Sequence, residues 1–213
     1  MRRDIEAGLF EGWDDPRLPT ISALKKRGIT SEALRQFWIE LGVTQKDISV
    51  PLATLYSHNT KIIDDDAPRI SFIRNPIKLQ ISGEHQQEIT TLVHPNHESR
   101  GNRVFDISNH TVFIEEVDSN KPQLRLKEFA DFDLTNDNAE FISQSRTDKR
   151  PIVHWVSEND CHDAKLIHTI DGEIMTISGV LENHDYEAGT MVQIERIGYG
   201  IIIDNSTIMF SHD

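Results

Sequence analysis

The first 65 residues carry apolar and polar positions with the period of short α-helices. Thr20 is placed to cap one helix, which Gly28 would stop, and Thr30 is placed to cap the next. Apolar side chains then recur at i, i+3, i+4 and i+7, namely Leu34, Phe37, Trp38 and Leu41 before Gly42. Pro51 marks the start of a further helix. The pattern predicts a small helical bundle.

From about Ala67 onward the pattern changes to the alternation of β-strands. Ile77, Leu79 and Ile81 alternate with polar residues, as in a strand with one buried face. Further short β-rich runs are separated by Gly, Pro, Asn and Asp; they are Val112–Ile114, Phe129–Leu134, Ile152–Val156, Leu166–Ile170, Met191–Ile194 and Tyr199–Ile203. Such spacing is typical of an all-β barrel or sandwich. The chain is therefore predicted to be α+β by segment, with helices followed by β-barrels.

Composition adds a size and a compartment to this picture. The chain has 213 residues, 37% of them apolar, and a mean hydropathy of −0.45. That length can bury the core of one large domain or of two to three small ones. No apolar run is long enough to cross a membrane or to follow the basic start as a secretion signal. Because Cys161 is the single cysteine, no internal disulfide can form, and we expect a cytoplasmic protein without a membrane partner.

The charge distribution gives two local basic patches on an acidic chain. A net charge of −13 argues against a general nucleic-acid binder, since phosphate contacts need clustered Lys and Arg. The first patch contains Lys25, Lys26, Arg27 and Arg35, and the second contains Arg100, Arg103, Lys121, Arg125 and Lys127. The first patch is equally compatible with an ordinary solvated helix face. Charge alone does not decide whether the protein binds RNA.

The sequence predicts no catalytic centre, metal site or cofactor site in this chain. His94 and His97 are three residues apart, and Cys161 is followed by His162, but zinc sites usually draw paired ligands from two places along the chain. Neither common Gly-rich phosphate loop is present, and no serine lies in a nucleophile-elbow context. Any function is therefore expected to be binding.

An ordered set of motifs resembles one enzyme family nearly from end to end. The most specific block is Gly12–Ile21, followed by Leu24–Ile29. The resemblance continues through Arg35–Phe37, Leu41–Val43, Asp66–Arg69, Asn75–Leu79, His94–Asn96, Arg100–Gly101, Phe113–Glu115, Leu124–Leu126, Ile152–Val156 and Val192–Tyr199. Together these segments resemble the tRNA-binding C-terminal half of class I glutamyl- and glutaminyl-tRNA synthetases, and of the archaeal-type glutamyl enzymes in particular.

The resemblance implies a domain organisation and a parent reaction. It implies a helical stem-contact domain at 1–65 and an anticodon-binding region at 66–213 with two β-barrels of the glutaminyl-tRNA synthetase type. The proximal barrel would combine about 66–85 with 150–213, and the distal barrel would span about 86–149. The parent enzyme uses ATP and Mg to join glutamate to tRNA. Its nucleotide-binding signatures are missing here, so we expect a non-catalytic part of a longer protein, with Met1 internal to it.

The resemblance also assigns candidate contacts to the tRNA. Arg69 and Gln193 match the positions that hold the middle anticodon uridine, since a guanidinium and a carboxamide can together read a base edge. Arg125 matches a reader of the third base, Asn96 lies in the anticodon-contacting turn, and Lys121 and Arg196 match neighbouring positions. Weak contacts to the tRNA stem fall on Lys25, Lys26 and Arg27. For Arg69 and Arg125, an ion pair with a nearby acid is the alternative.

One departure from the glutaminyl pattern leaves the tRNA choice open. Where glutaminyl enzymes carry an Arg-x-Arg pair for the first anticodon base, this chain has Asp133–Thr135. This favours the glutamyl branch, whose archaeal members often charge both glutamate and glutamine tRNA. Three alternatives remain: the glutaminyl counterpart, a stand-alone RNA-binding barrel similar to the 5S-rRNA-binding ribosomal protein, and an acidic protein–protein adaptor. Residues 1–65 argue against the stand-alone barrel.

Overall fold

A computed structural model describes residues 1–42 and 50–213; Val43, which belongs to one matched motif, lies outside these ranges. The described residues are mostly β with a few helices. The helices are α1 (Arg2–Glu6), α2 (Ile21–Lys26), α3 (Ser31–Leu41), α4 (Leu52–Ile63) and α5 (Glu116–Ser119), with a 3₁₀ turn at Glu98–Arg100. The strands are β1 (Arg69–Ile70), β2 (Phe72–Arg74), β3 (Pro76–Ser82), β4 (Glu88–Leu92), β5 (Asn102–Asp106), β6 (Thr111–Glu115), β7 (Gln123–Leu126), β8 (Ala130–Thr135), β9 (Asn138–Ser143), β10 (Ile152–Val153), β11 (Val156–Ser157), β12 (Cys161–Ile170), β13 (Glu173–Glu182), β14 (Met191–Ile194), β15 (Gly198–Asp204) and β16 (Thr207–His212).

Helices α2 and α3 begin and end at the predicted residues. The Thr20 hydroxyl accepts a hydrogen bond from Ala23 N, and the Thr30 hydroxyl accepts one from Ala33 N, so both threonines cap helices. Gly28 and Gly42 follow the two helices with positive φ angles of 86° and 65°, a conformation that glycine adopts without strain. These helix ends are confirmed.

The helices share a small apolar core that buries only part of the predicted face of α3. Leu24, Ile29, Ala33, Phe37 and Leu55 form this core, with α3 packed on α4. Trp38, predicted on the same face, is instead 62% exposed. It lies beside Phe37 in an edge-to-face arrangement rather than beneath another helix. Among the described residues, no helix is long and apolar enough to span a membrane.

The first of two large sheets brings the two ends of the β region together. Its strand order is β1-β14-β15-β16-β12-β13-β2, so residues 69–74 pair with strands from the last third of the chain. In the parallel pairing of β1 with β14, Arg69 lies opposite Gln193. The core of this sheet includes Ile70, Phe72 and Ile194. Topology therefore makes neighbours of two residues that are distant in sequence.

The second sheet begins earlier in the chain than predicted. Its order is β10-β7-β8-β9-β3-β6-β11, and β3 pairs with β6 and β9 rather than with residues 150–213. The predicted pairing of the whole segment 67–85 with the C-terminal strands therefore needs correction, because it holds only for β1 and β2. Strands β10 and β11, predicted in the proximal barrel, also belong to the second sheet. The change of sheet occurs at Asn75, whose φ is 45°, directly before Pro76. Strands β4 and β5 form a separate two-stranded hairpin.

Candidate nucleic-acid interface

Gln193 lies beside Arg69, its partner in the predicted middle-base site. The Gln193 N–H donates to the Pro68 carbonyl at 2.9 Å, which fixes strand β14 against the start of β1. The Gln193 side chain is partly exposed. Among the described residues, its carboxamide has no hydrogen-bond partner, so its donor and its acceptor are both available to a base.

Arg69 does not present its guanidinium to solvent. Its Nη1 donates to the carbonyls of Asp64 at 3.1 Å and Ala67 at 2.8 Å, and its Nη2 donates to Asp64 Oδ1 at 2.9 Å. The residue is 6% exposed. The Asp64 carboxylate also accepts from the Tyr199 hydroxyl at 2.6 Å, and this bond, with the nearby Arg69, lowers the pKa of Asp64. Arg69 therefore forms an ion pair with an acid, which was the alternative for this residue in the sequence analysis. Its guanidinium faces the end of α4.

Asn96 belongs to the same neighbourhood. The His94 ring joins the two parts: its Nδ1 accepts from the Asn96 N–H at 3.1 Å, so its Nε2 carries the proton and donates to the Asp64 carbonyl at 2.9 Å. The Arg69 N–H donates to the Val93 carbonyl at 2.9 Å. The Asn96 side chain is exposed. The structure thus brings Arg69, Asn96 and Gln193 together at one end of the first sheet.

Lys121 and Arg196 meet at one buried carboxylate. Lys121 Nζ contacts Asp118 Oδ1, and Arg196 Nη1 donates to Asp118 Oδ2 at 2.5 Å. Burial by itself would raise the pKa of Asp118, but the hydrogen bonds from Arg196 and Lys121 outweigh it and lower that pKa. The Arg196 side chain is 39% exposed, and the residue has a φ of 63° in the turn after β14. Arg196 is thus a partly exposed guanidinium three residues from Gln193.

Arg125 lies on the second sheet, apart from these residues. Its Nη1 donates to Asp131 Oδ1 at 2.6 Å, and its Nη2 donates to the Gln144 carbonyl at 2.8 Å. Burial would raise the pKa of Asp131, but hydrogen bonds from Thr147 and Arg125 lower it. The Arg125 side chain is only 15% exposed. Arg125, like Arg69, therefore forms the ion pair that was its alternative in the sequence analysis.

The three residues of the predicted stem-contact patch, Lys25, Lys26 and Arg27, differ in their exposure and in their contacts. Lys25 is exposed, whereas Lys26 Nζ forms an ion pair with Asp14 at 2.9 Å. Arg27 Nη2 donates to the Tyr56 hydroxyl at 2.9 Å and to the Ser211 carbonyl at 2.8 Å. Arg27 therefore joins the helices to the last strand, and of the three residues Lys25 is the most accessible to a partner.

Similarity to known proteins extends over nearly the whole chain. Residues 67–146 match the family described as tRNA synthetases class I (E and Q), anti-codon binding domain. The chain is 35% identical to the glutamate–tRNA ligase of Methanosarcina mazei and 34% identical to that of Archaeoglobus fulgidus. In each case the alignment covers 93% of this chain and 36% of the relative's length, so the chain spans about a third of these relatives.

Within the matched segment 67–146, Asp133, the first residue of the departure at Asp133–Thr135, forms an internal ion pair. Arg150 Nη1 donates to Asp133 Oδ1 at 2.6 Å and to the Phe132 carbonyl at 2.8 Å. Arg150 is 8% exposed, so its guanidinium is committed to the protein. Arg150 therefore supplies no free basic group at residues 133–135, the place where glutaminyl enzymes carry the Arg-x-Arg pair.

The sequence reasoning considered an ion pair for Arg69 and Arg125 without naming the acid, and it missed the acidic partner of Lys121 and Arg196. Arg69, Lys121, Arg125 and Arg196 each bind an aspartate, drawn from Asp64, Asp118 and Asp131. The available signal was short sequence distance, since three of the four cations lie within six residues of their partner. As a consequence, the guanidinium groups of Arg69, Arg125 and Arg196 are each held in place by an ion pair with an aspartate.

Proposed function

We propose that the chain is the tRNA anticodon-recognition part of a glutamate–tRNA ligase that attaches glutamate to tRNA in the cytoplasm. The observation that carries the proposal is the similarity to archaeal glutamate–tRNA ligases over 93% of the chain. The whole enzyme would bind ATP and Mg through residues outside these 213. We assign no catalytic role to this chain, whose contribution is to bind tRNA.

We further propose how the chain divides the work of binding. The helical segment at 1–65 is a stem-contact domain, and Lys25 is the most accessible of its three predicted contact residues. The two sheets are the basis of two barrels, a proximal one built from β1, β2 and β12–β16 and a distal one built from β3 and β6–β11. The strand pairings support this division, which moves residues 76–82 and 152–157 from the proximal to the distal unit.

Gln193 is our candidate for direct contact with the middle anticodon uridine. Its partly exposed carboxamide offers one donor face and one acceptor face, which suits the N3–H and a carbonyl oxygen of uracil. Asn96 approaches the same place from its exposed turn. Because its donors serve Asp64 and Ala67, Arg69 acts as a positioning residue for this site. Arg125 has guanidinium N–H groups beyond the two that bond Asp131 and Gln144, and with these it would read the third base, while Lys121 and Arg196 would lie against the neighbouring backbone.

The proposal is tested by titrating the 213-residue chain with glutamate tRNA and with the same tRNA carrying adenosine as its middle anticodon base. We expect the replacement to weaken binding by about tenfold, as a lost base contact does. Binding should also weaken as salt is raised, because phosphates are contacted as well. Equal affinity for both tRNAs would reject anticodon recognition, and no salt-dependent binding would favour the acidic adaptor. Glutamine tRNA has the same middle base, so Gln193 should not separate the two.

A further inference from the structure

Four ionisable side chains, three of them buried, form a chain of ion pairs between the two sheets; we name Arg103, Lys127, Glu182 and Glu195 the interface cluster. Arg103 Nη1 donates to Glu182 Oε2 at 2.9 Å, and its Nη2 donates to Glu195 Oε1 at 2.9 Å. Lys127 Nζ reaches Glu195 Oε2 at 3.1 Å. Glu195 is thus held by two cations, one on each carboxylate oxygen.

The members of the interface cluster come from three different pieces of the fold. Glu182 ends β13 and Glu195 follows β14, both in the first sheet. Arg103 is on β5 of the separate hairpin, and Lys127 directly follows β7 of the second sheet. Because Glu195 contacts both cations, it is the member that ties the first sheet to the second.

Burial makes these contacts consequential. The side chains of Arg103, Glu182 and Glu195 are 10%, 5% and 7% exposed. Burial would raise the pKa of Glu195, but Arg103 and Lys127 outweigh it and lower that pKa, so the carboxylate stays charged. The adjoining cavity has a volume of about 10 Å³, the space of one water-sized sphere. A nucleobase cannot enter it, so the interface cluster can affect RNA only through the residues it positions.

The proposed base readers lie immediately beside the interface cluster in the chain. Glu195 is two residues after Gln193 and one before Arg196, while Lys127 is two residues after Arg125. Resting on the proposed function, we infer that Glu195 is a positioning residue that makes recognition of the middle and the third anticodon bases interdependent. It does so by holding the Gln193 site and the Arg125 site at a fixed separation.

The physical reason is preorganisation. When two sites are held rigidly relative to each other, docking one base places the next base at its own site. The conformational entropy of the anticodon loop is then lost once for both contacts. A wrong base at one site then also weakens the contact at the other, so two wrong bases cost less than the product of the single losses. If the link between the sheets is loosened, each base is read independently.

The test is a cycle of four anticodon stem-loops of glutamate tRNA: unchanged, with the middle base replaced, with the third base replaced, and with both replaced. For the unaltered chain, we expect the doubly replaced loop to bind about fivefold better than the product of the single losses predicts. Glu195→Gln keeps the shape of the side chain and removes its charge; it should reduce this factor to below about twofold. A role in stability alone would weaken all four loops equally.

Two further variants keep the outcome decisive. Lys127→Gln removes only the link to the second sheet and, since Lys127 is 39% exposed, should fold even where Glu195→Gln does not. Glu187→Gln, at an exposed position, is the matched control for loss of one negative charge and should keep the fivefold factor. The inference is overturned if the unaltered chain discriminates both bases without interdependence, or if Lys127→Gln retains it. Failure of the unaltered chain to bind any loop would instead overturn the proposed function, and the inference with it.

Discussion

Replacing Gln193 by alanine separates recognition from stability more cleanly than any other change at the site. The carboxamide is partly exposed and, in the described part of the chain, has no side-chain hydrogen bond to lose. The strand is fixed by the Gln193 N–H, which alanine retains. We therefore expect the free energy of unfolding to change by less than about 0.5 kcal/mol, as for a surface substitution.

Binding should respond much more strongly. A carboxamide that both donates to and accepts from a uracil edge contributes about 1–3 kcal/mol, which corresponds to a loss of about five- to 150-fold in affinity. The loss should be confined to RNA with uridine in the middle position, since an RNA with another base there has little of this contact to lose. The expected loss of affinity therefore depends on the middle base of the RNA as well as on the substitution at Gln193.

The assay is fluorescence anisotropy with a labelled anticodon stem-loop of glutamate tRNA and its counterpart with the middle base replaced. Gln87→Ala is a suitable control, because Gln87 is exposed and, among residues 1–42 and 50–213, forms a hydrogen bond only through its backbone carbonyl, which accepts from Ile107 N. Urea unfolding of each variant measures stability under the same conditions. Equal losses on the two RNAs, or an unchanged affinity for the uridine loop, would refute the assignment of Gln193 to base reading.

Three further predictions concern the supporting contacts. Arg69→Ala should lower the free energy of unfolding by about 2 kcal/mol, because two carbonyls and the Asp64 carboxylate lose a buried donor; an unchanged urea midpoint would mean that the guanidinium is free to bind RNA. Asp15→Asn should cost about 2 kcal/mol at pH 7, since the buried carboxylate accepts bonds from Arg17 and from Glu11 N. Hydrogen bonds from Arg17 lower the pKa of Asp15, so its stabilisation is present above about pH 4 and should shrink in acid; a difference equal at pH 7 and pH 3 would contradict this. Burial raises the pKa of Cys161 to about 11, so iodoacetamide at pH 8 should modify the folded chain at least about tenfold more slowly than the unfolded chain, and equal rates would show the thiol to be accessible.

Helix ends were predictable because their causes are local. Thr20 and Thr30 each accept from a backbone N–H three residues later, so residue type and spacing suffice to identify the caps. The alternation of Leu79 and Ile81 likewise reported a strand with one buried face. The partners of that strand were not predictable in this way, because alternation is the same whichever sheet a strand joins. The turn at Asn75 and Pro76 sends it to the second sheet.

The pairing of Arg69 with Gln193 was predictable, but the orientation of the Arg69 side chain was not. The family resemblance named Arg69 and Gln193, and their strands do pair in register. The direction of the Arg69 side chain depends on three acceptors grouped at the end of α4, and a motif carries no information about such competition. The interface cluster was missed for a related reason, since Arg103 and Glu195 are 92 residues apart in the chain.

The most direct test of the account is a structure of the 213-residue chain bound to the anticodon stem-loop of glutamate tRNA. The account predicts an unstacked middle uridine with its edge about 3 Å from the Gln193 carboxamide, while Arg69 remains bonded to Asp64. A loop bound elsewhere, with Gln193 facing solvent, would contradict it.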